Sequence, residues 1–286
     1  MTNLNPIRII PRLDVKGPFV VKGIHLEGLR VIGRPQEMAK QYYLDGADEL
    51  FFMDVVASLY ERNSLENLIQ LTAKEIFIPL TVGGGLRSLD DISRVLNAGA
   101  DKVSLNTAVI KNPKLIEDAC RVFGSSTITI SIEAIKRGNN YYAYTDNGRE
   151  ETDKEVTEWC RQVEALGAGE IFCTSIDKEG TGLGYDQNLI DQVQGATTLP
   201  IVYHGGIGNI EHATTLVKNN KIDGICIASL LHYNATQNRT NNFEVEGEGN
   251  LEFLKKNKVS KNIASCKIND IKNHLKDHGV SVRFRA

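Results

Sequence analysis

Two acidic residues occupy matching places in two similar stretches of the chain and could act as a general acid and a general base. Asp14 follows the apolar run of IIPRLDVK, and Glu133 follows that of ITISIEAIK, 119 positions later. Two carboxyl groups that face each other can divide these roles if their surroundings separate their pKa values. The competing interpretation is structural, with one acid capping a loop or pairing with Lys16 or Lys22.

Glycine-rich turns, which are also repeated, could bind phosphate. The glycines at 83–85 correspond to Gly205 and Gly206, and the hydroxyl of Thr107 corresponds to that of Ser229. Glycine lets backbone N–H groups approach an anion without interference from a Cβ, and an adjacent helix N-terminus adds its dipole. Tight turns alone also use glycine, but the duplication favours two symmetric sites for a substrate with a phosphate at each end.

A third group combines two cations with two anions, each at the start of a predicted strand. Its members are Arg8, Glu49, Lys102 and Glu170. If the strands are parallel, these side chains share one end of the sheet and can form a ring of ion pairs. The residues alone leave open whether such a ring only closes the core or has a function.

An internal repeat shows which elements must position these residues. GADELFFMDVV (46–56) resembles GAGEIFCTSID (167–177), and IPLTVGGGL (78–86) resembles LPIVYHGGI (199–207), in both cases 121 positions later. This period is much longer than that of solenoid repeats and indicates two halves of one domain. Strands are predicted at 7–13, 49–53, 77–82, 102–105, 127–132, 170–174, 200–203 and 224–227.

Helical patterns that end at glycine separate these strands, for example SLDDISRVLNAG (88–99). Alternating strands and helices predict a parallel sheet with right-handed crossovers. Two halves of four units predict an α/β fold, a (β/α)8 TIM barrel built from two half-barrel repeats. The alternative is an open doubly wound sheet, which the two-fold repeat disfavours.

The barrel prediction selects further candidate residues, because active sites of such barrels lie at the C-terminal ends of the strands. Besides the acids, the glycine turns and the two hydroxyls, the positions after the predicted strands include Gly84, Asn106, Thr174, His204 and Ala228. The histidine could be a site residue or simply a buried core residue.

Composition excludes several classes of protein. The 286 residues are 41% hydrophobic and 24% charged, with 33 basic and 36 acidic side chains, so no basic excess indicates a nucleic-acid partner. No apolar run reaches the ~18 residues of a membrane span, and no signal peptide is visible. Five scattered cysteines are typical of reduced thiols in a cytoplasmic protein. No metal-ligand spacing or nucleotide-binding motif is present, so neither a metal nor a cofactor is expected.

One domain is expected over 1–286, with half-barrels at about 7–124 and 125–232. The stretch 233–262 is polar and rich in asparagine, which predicts an insertion or mobile loop in the eighth unit. A C-terminal helix and tail are expected at 267–286.

Several of these motifs resemble one known family. IIPRLDVKG, DELFFMDVVAS, IPLTVGGGL, GADKVSLNTA, GAGEIFCTSIDKEGTGLGYD and LPIVYHGG look like the cyclase subunit of imidazole glycerol phosphate synthase. The resemblance covers about 7–232 and the tail at 267–283. It implies a two-half barrel and a glutaminase partner docked on the barrel bottom. Ammonia made there would pass up the barrel to a bisphosphorylated formimino ribonucleotide of histidine biosynthesis.

The resemblance also implies roles for individual residues. Asp14 and Glu133 match the catalytic acids, and Arg8, Glu49, Lys102 and Glu170 match an ammonia gate. Substrate and phosphate binding falls on Gly84, Asn106, Thr107, Thr174, Glu179, Gly180, His204, Gly205, Gly206, Ala228 and Ser229.

This chain departs from the family pattern at the acid–base site. Glu133 replaces an aspartate and is one methylene longer, His204 replaces a serine, and Glu179 replaces the family's acid in the strand-6 loop. These departures leave an alternative open, in which a cyclase-like paralogue delivers ammonia to a sugar amidotransferase of surface-polysaccharide synthesis. A non-catalytic binding or scaffold role is the third hypothesis.

Overall fold

The computed structural model describes residues 5–55, 63–237 and 261–285. Eight parallel strands close into a barrel in the order β1-β4-β5-β6-β7-β10-β11-β12, and β12 pairs with β1. The strands are β1 (Arg8–Lys16), β2 (Phe19–Ile24), β3 (Glu27–Gly33), β4 (Leu50–Asp54), β5 (Leu80–Gly83), β6 (Lys102–Leu105), β7 (Ile128–Arg137), β8 (Asn140–Thr145), β9 (Glu150–Glu155), β10 (Glu170–Ser175), β11 (Ile201–His204) and β12 (Gly224–Ile227). The predicted (β/α)8 barrel is confirmed.

Helices follow the barrel strands and cover the sheet from outside. They are α1 (Pro35–Leu44), α2 (Asn63–Ala73), α3 (Leu89–Asn97), α4 (Thr107–Lys111), α5 (Lys114–Phe123), α6 (Val156–Ala165), α7 (Gln187–Ala196), α8 (Ile210–Asn219), α9 (Ser229–Gln237) and α10 (Ile268–Asp277). The glycines predicted to end α1, α3 and α5 have positive φ, at Gly46, Gly99 and Gly124. None of the described helices is long and apolar enough to cross a membrane.

Two β-hairpins extend from the barrel at matching points of the two halves. The first, β2–β3, continues from β1, and the second, β8–β9, continues from β7. Both were missed in the sequence, although the Gly138-Asn139 turn between alternating residues is a hairpin signal. The pairing with β8 explains why β7 ends five residues later than predicted.

The core has an outer and an inner part. The outer cluster fills the space between the sheet and the helices and includes the only tryptophan, Trp159. The inner cluster lies in the barrel interior and includes Ile10, Phe51, Phe172 and Val202. Side chains alternate across a strand, so residues two apart along one strand line the interior at successive heights.

The C-terminal helix α10 is fixed to the barrel bottom by a buried ion pair. The Nζ of Lys272 lies 2.7 Å from Asp48 Oδ1, just before β4, and also donates to the carbonyl of Arg283 at 2.6 Å. The tail then forms a bridge between Val282 and Ile7. Of the predicted insertion at 233–262, residues 233–237 belong to α9, and 238–260 lie outside the described residues.

Candidate functional site

A cavity of about 470 Å³ opens at the C-terminal mouth of the first half-barrel. Its lining includes the glycine turn after β5, the start of α4 after β6, and Glu133 near the middle of β7. The turn between β8 and β9 closes its other side through Asp146 and Asn147. The cavity is therefore made by the loops that the barrel topology places at the active-site face.

Glu133 is the buried carboxyl group of this cavity. Its side chain is 2% exposed, and Asn106 Nδ2 donates to its Oε2 at 3.2 Å. Burial raises the pKa of Glu133 to about 7; the nearby Arg12 opposes this shift, and Asp14 and Asp146 add to it. Both protonation states are therefore populated near neutral pH, which suits a group that gives and takes protons.

Asp14 lies on β1, on the opposite side of the barrel from β7, and interacts electrostatically with Glu133. It is 8% exposed and does not line the 470 Å³ cavity. Asp14 does not form the pair with Lys16 or Lys22 that the competing interpretation offered. Arg12 Nε donates to Asp14 Oδ1 at 2.7 Å, whereas Lys22 Nζ donates to a backbone carbonyl and Lys16 is exposed.

Sequence reasoning missed Arg12. It stands in the run IIPRLDV, where the other positions from Ile9 to Val15, apart from Asp14, are apolar. Because it lies two positions before Asp14 on the same strand, both side chains point to one face of the sheet. The sequence does carry a signal for Arg12: it is a charged residue in a buried strand and shares a face with a candidate catalytic acid.

The first glycine turn is closely packed against the preceding loop. Gly84 and Gly85 have φ of +101° and +68°. A Cβ on Gly84 would lie 2.2 Å from the carbonyl oxygen of Asp54, so the turn requires glycine here. Next to it, Asn106 precedes α4 and Thr107 begins it. The Thr107 hydroxyl accepts a hydrogen bond from Asp146 N at 3.1 Å.

The second glycine turn encloses much less space. The cavity there measures about 10 Å³, room for about one water molecule. Gly206 lies so close to the carbonyl of Gly184 that a Cβ would be 2.0 Å from it. Seven of the predicted residues do come together here, but without the volume that the symmetric site would need: Glu179, Gly180, His204, Gly205, Gly206, Ala228 and Ser229.

Of the predicted binding residues His204, Glu179 and Thr174, two form hydrogen bonds with backbone groups and one is fully buried. His204 donates through Nδ1–H to Cys226 O at 3.0 Å, and burial, with Arg12 next, lowers its pKa to about 3, so it is neutral. Glu179 Oε2 accepts from Leu26 N at 3.0 Å and so holds the turn of the first hairpin. The Thr174 side chain is fully buried and lines neither cavity.

At the opposite end of the barrel, the four predicted ring residues form a closed set of ion pairs. Arg8 contacts Glu49 at 3.0 Å and Glu170 at 2.5 Å, and Lys102 contacts the same two acids at 3.1 and 3.3 Å. Thr81 also donates to Glu49 at 2.5 Å. The two cations remain about one-fifth exposed, so the ring is reached from the barrel bottom.

An aromatic pair fills the interior above this ring. Phe51 on β4 and Phe172 on β10 come from opposite sides of the barrel and stack with ring centroids 4.2 Å apart. Each follows a ring acid by two positions on its strand, Glu49 or Glu170, and so lies one layer higher. In this structure the pair lies between the ring and the two buried carboxyl groups, Asp14 and Glu133.

The fold is that of a (β/α)8-barrel enzyme, with two buried carboxyl groups, Asp14 and Glu133, toward its mouth. A family model described as histidine biosynthesis protein matches residues 8–237. A relative from Legionella pneumophila, named imidazole glycerol phosphate synthase subunit HisF, is 52% identical over 209 residues, covering 73% of this chain and 99% of its own. Relatives of the same name from an Exiguobacterium species and Lactococcus lactis are 47% and 46% identical, each across 79% of this chain and 88% of their own.

The chain therefore belongs to the histidine biosynthesis protein family, among the HisF cyclase subunits of imidazole glycerol phosphate synthase. The resemblance of its motifs to this family is confirmed. Because these relatives are named as subunits, a partner subunit is part of the assignment.

Proposed function

We propose that this chain catalyses the cyclase reaction with Asp14 and Glu133 as its acid–base pair, using ammonia from a glutaminase partner. The observation that carries this proposal is Glu133 in the 470 Å³ cavity, buried and with its pKa raised to about 7. Ammonia would attack the ribulosyl carbonyl of the formimino ribonucleotide. Proton transfers through the pair would then support cleavage to aminoimidazole carboxamide ribonucleotide and ring closure to imidazole glycerol phosphate.

One phosphate of the substrate would bind at the first glycine turn, where Gly84, Asn106 and Thr107 line the cavity. Lys111 on the same wall adds a positive charge. The second phosphate would bind at the other turn only after local widening, because that cavity has room for only about one water molecule. The two ends of the substrate are therefore expected to bind unequally.

The glutaminase partner would dock on the barrel bottom. Large apolar side chains are exposed there, with Phe77 80% exposed just before β5 and Leu44 69% exposed at the end of α1. Phe284 in the C-terminal tail is a third. Exposed apolar groups of this size are typical of interaction surfaces. The ring of ion pairs opens at the same end, which supports its proposed role as the ammonia gate.

The aromatic pair would have to open for ammonia to reach the mouth. With Phe51 and Phe172 stacked, the layer above the gate is closed. We therefore expect passage to require a rotamer change of at least one ring.

We place the reaction in the cytoplasm, where the five cysteines, all free in the structure, would remain reduced.

The test is ammonia-driven turnover of the formimino ribonucleotide by the purified chain. Asp14→Asn is the matched variant, since it removes a charge and keeps the shape. Turnover by the unchanged chain, reduced by about 100-fold or more in the variant, is the expected result. Full activity of Asp14→Asn would refute its role in acid–base catalysis. A folded chain that binds substrate without turnover would refute the cyclase proposal and favour ammonia delivery to another reaction.

A further inference from the structure

Arg12 is a fully buried charge that the mechanism above leaves unused. Its Nε binds Asp14, but Nη1 and Nη2 have no hydrogen-bond partner among the described residues and no contact with solvent. Leaving a buried donor unpaired costs about 1–3 kcal/mol, and more for a charged group. Two such donors on one guanidinium indicate a partner that is present in another state of the site.

Carboxyl groups are the partners that a guanidinium fork binds best. Burial lowers the pKa of Arg12, but the nearby acids, Asp14 first, raise it above its ordinary value, so the group stays charged. The second of these acids is Glu133, which faces the substrate cavity. One guanidinium therefore stands within electrostatic reach of both carboxyl groups of the proposed pair.

The other titratable groups facing Arg12 from β11, β12 and α9 are neutral. Burial lowers the pKa values of His204 and His232 to about 3. Burial likewise raises the pKa of the Cys226 thiol well above its ordinary value. None of the three can replace the charge of Arg12.

Two further groups adjoin the pair. Lys22 on β2 acts on Asp14, but burial lowers its pKa and its Nζ donates to a backbone carbonyl. Asp146 in the turn after β8 acts on Glu133 from the cavity side. Within the part of the chain that the structure describes, Arg12 thus remains the fully buried cation beside both acids, with two unpaired donors.

We infer that Arg12 is a positioning residue that pairs with whichever of the two acids carries the negative charge. Its Nε holds Asp14 as the carboxylate base, and its unpaired Nη groups receive the Glu133 carboxylate after Glu133 has given up its proton. The inference rests on the proposed cyclase function and deepens it.

The proton balance of the first addition step shows why one counter-ion is enough. Glu133 donates its proton to the ribulosyl carbonyl oxygen as the ammonia nitrogen bonds to the carbonyl carbon and the C–O π bond breaks. The surplus proton on that nitrogen passes to Asp14, which leaves a neutral carbinolamine. One proton has moved from Glu133 to Asp14 by way of the substrate, so the pair keeps a single negative charge. Arg12 neutralises that charge before and after the step.

The first test is the pH dependence of ammonia-driven kcat and KM in the unchanged chain, Arg12→Met and Arg12→Lys, at constant free ammonia. Arg12→Met should lower kcat by about tenfold or more and move the acid limb up by about one pH unit or more, because Asp14 loses its counter-ion. KM should stay within about threefold, since Arg12 does not touch the cavity. Arg12→Lys should restore the acid limb while recovering kcat only in part, because an ammonium lacks the fork.

An acid limb that does not move in Arg12→Met would overturn the inference. A KM that rises while kcat is unchanged would do the same, because it would mean that Arg12 binds substrate. Absence of turnover in the unchanged chain would instead count against the proposed function.

The second test needs no turnover and covers the case in which Arg12→Met fails to fold. Infrared difference spectra between pH 6 and pH 8 should show the carbonyl band of a protonated carboxyl group in the unchanged chain. The band should disappear in Glu133→Gln. In Asp14→Asn it should be lost at a lower pH than in the unchanged chain, because the Asp14 charge adds to the raised pKa of Glu133 and its removal leaves Arg12 to the Glu133 carboxylate. A band that persists in Glu133→Gln, or that keeps the same pH dependence in Asp14→Asn, would overturn the inference.

Discussion

The Glu133→Gln variant should have a higher free energy of unfolding than the unchanged chain at alkaline pH, and this difference should shrink toward acid pH. The folded protein holds the Glu133 proton with a pKa of about 7, whereas the ordinary value is 4.5. Between these values the folded state binds more protons than the unfolded state, so the free energy of unfolding falls as the pH rises. Glutamine is neutral at every pH and lacks this dependence.

The size of the effect follows from the same two values. A tenfold difference in proton affinity is worth about 1.4 kcal/mol, so from pH 5 to pH 8.5 the chain should lose about 2.5 kcal/mol relative to Glu133→Gln. The loss should be complete near pH 7.5, above which the folded protein is also ionised. The glutamine carbonyl can still accept from Asn106, so little else should change.

Urea unfolding followed by fluorescence of the buried Trp159 measures this difference at each pH. Glu117→Gln is the control, because it makes the same chemical change on the exposed face of α5. A difference between Glu133→Gln and the unchanged chain that stays the same from pH 5 to pH 8.5 would refute the proposed burial of a protonated Glu133. If the advantage of Glu133→Gln in free energy of unfolding grew toward acid pH, folding would lower the pKa of Glu133 rather than raise it.

Two further predictions concern stability. Gly84→Ala should lower the free energy of unfolding by more than about 2 kcal/mol, because it places a Cβ at positive φ and 2.2 Å from the carbonyl oxygen of Asp54. Gly195→Ala, in an open helical position, is the control and should be neutral or stabilising in the same urea assay. Lys272→Met should cost about 3–5 kcal/mol by leaving a buried carboxylate unpaired, whereas Lys40→Met breaks an exposed pair and should cost about 1 kcal/mol or less. Equal losses within either pair of variants would contradict these assignments.

Much of the architecture could be predicted because barrel strands carry a local signal. The run LFFM in β4 is apolar up to the terminal Asp54, as expected for a parallel strand buried on both faces. The repeat at 121 positions placed Glu49 and Glu170 at equivalent strand starts, and a parallel barrel puts equivalent starts at one end. No strand was predicted for either hairpin, although the second carries a turn signal at Gly138-Asn139.

The partners of individual charges could not be predicted in the same way. Asp14 has cations two positions before and after it, and the sequence does not say which one shares its buried face at hydrogen-bond distance. By strand alternation, Arg12 and Lys16 both lie on the same face of β1 as Asp14. Lys16 is exposed because it is the last residue of β1, whereas Arg12 is buried in the core. The choice depends on where the barrel closes, which is a property of all eight strands.

The sequence by itself determined the two-half barrel, the end of the barrel that carries the acids and the end that carries the ion pairs. Periodicity and repeat spacing encode these features, and parallel topology converts them into position. Only the tertiary structure decided that the two glycine turns enclose unequal cavities, that His204 is neutral and that Arg12 stands beside both acids. Volume, desolvation and contact between distant strands arise from packing in three dimensions, and no local pattern of residues records them.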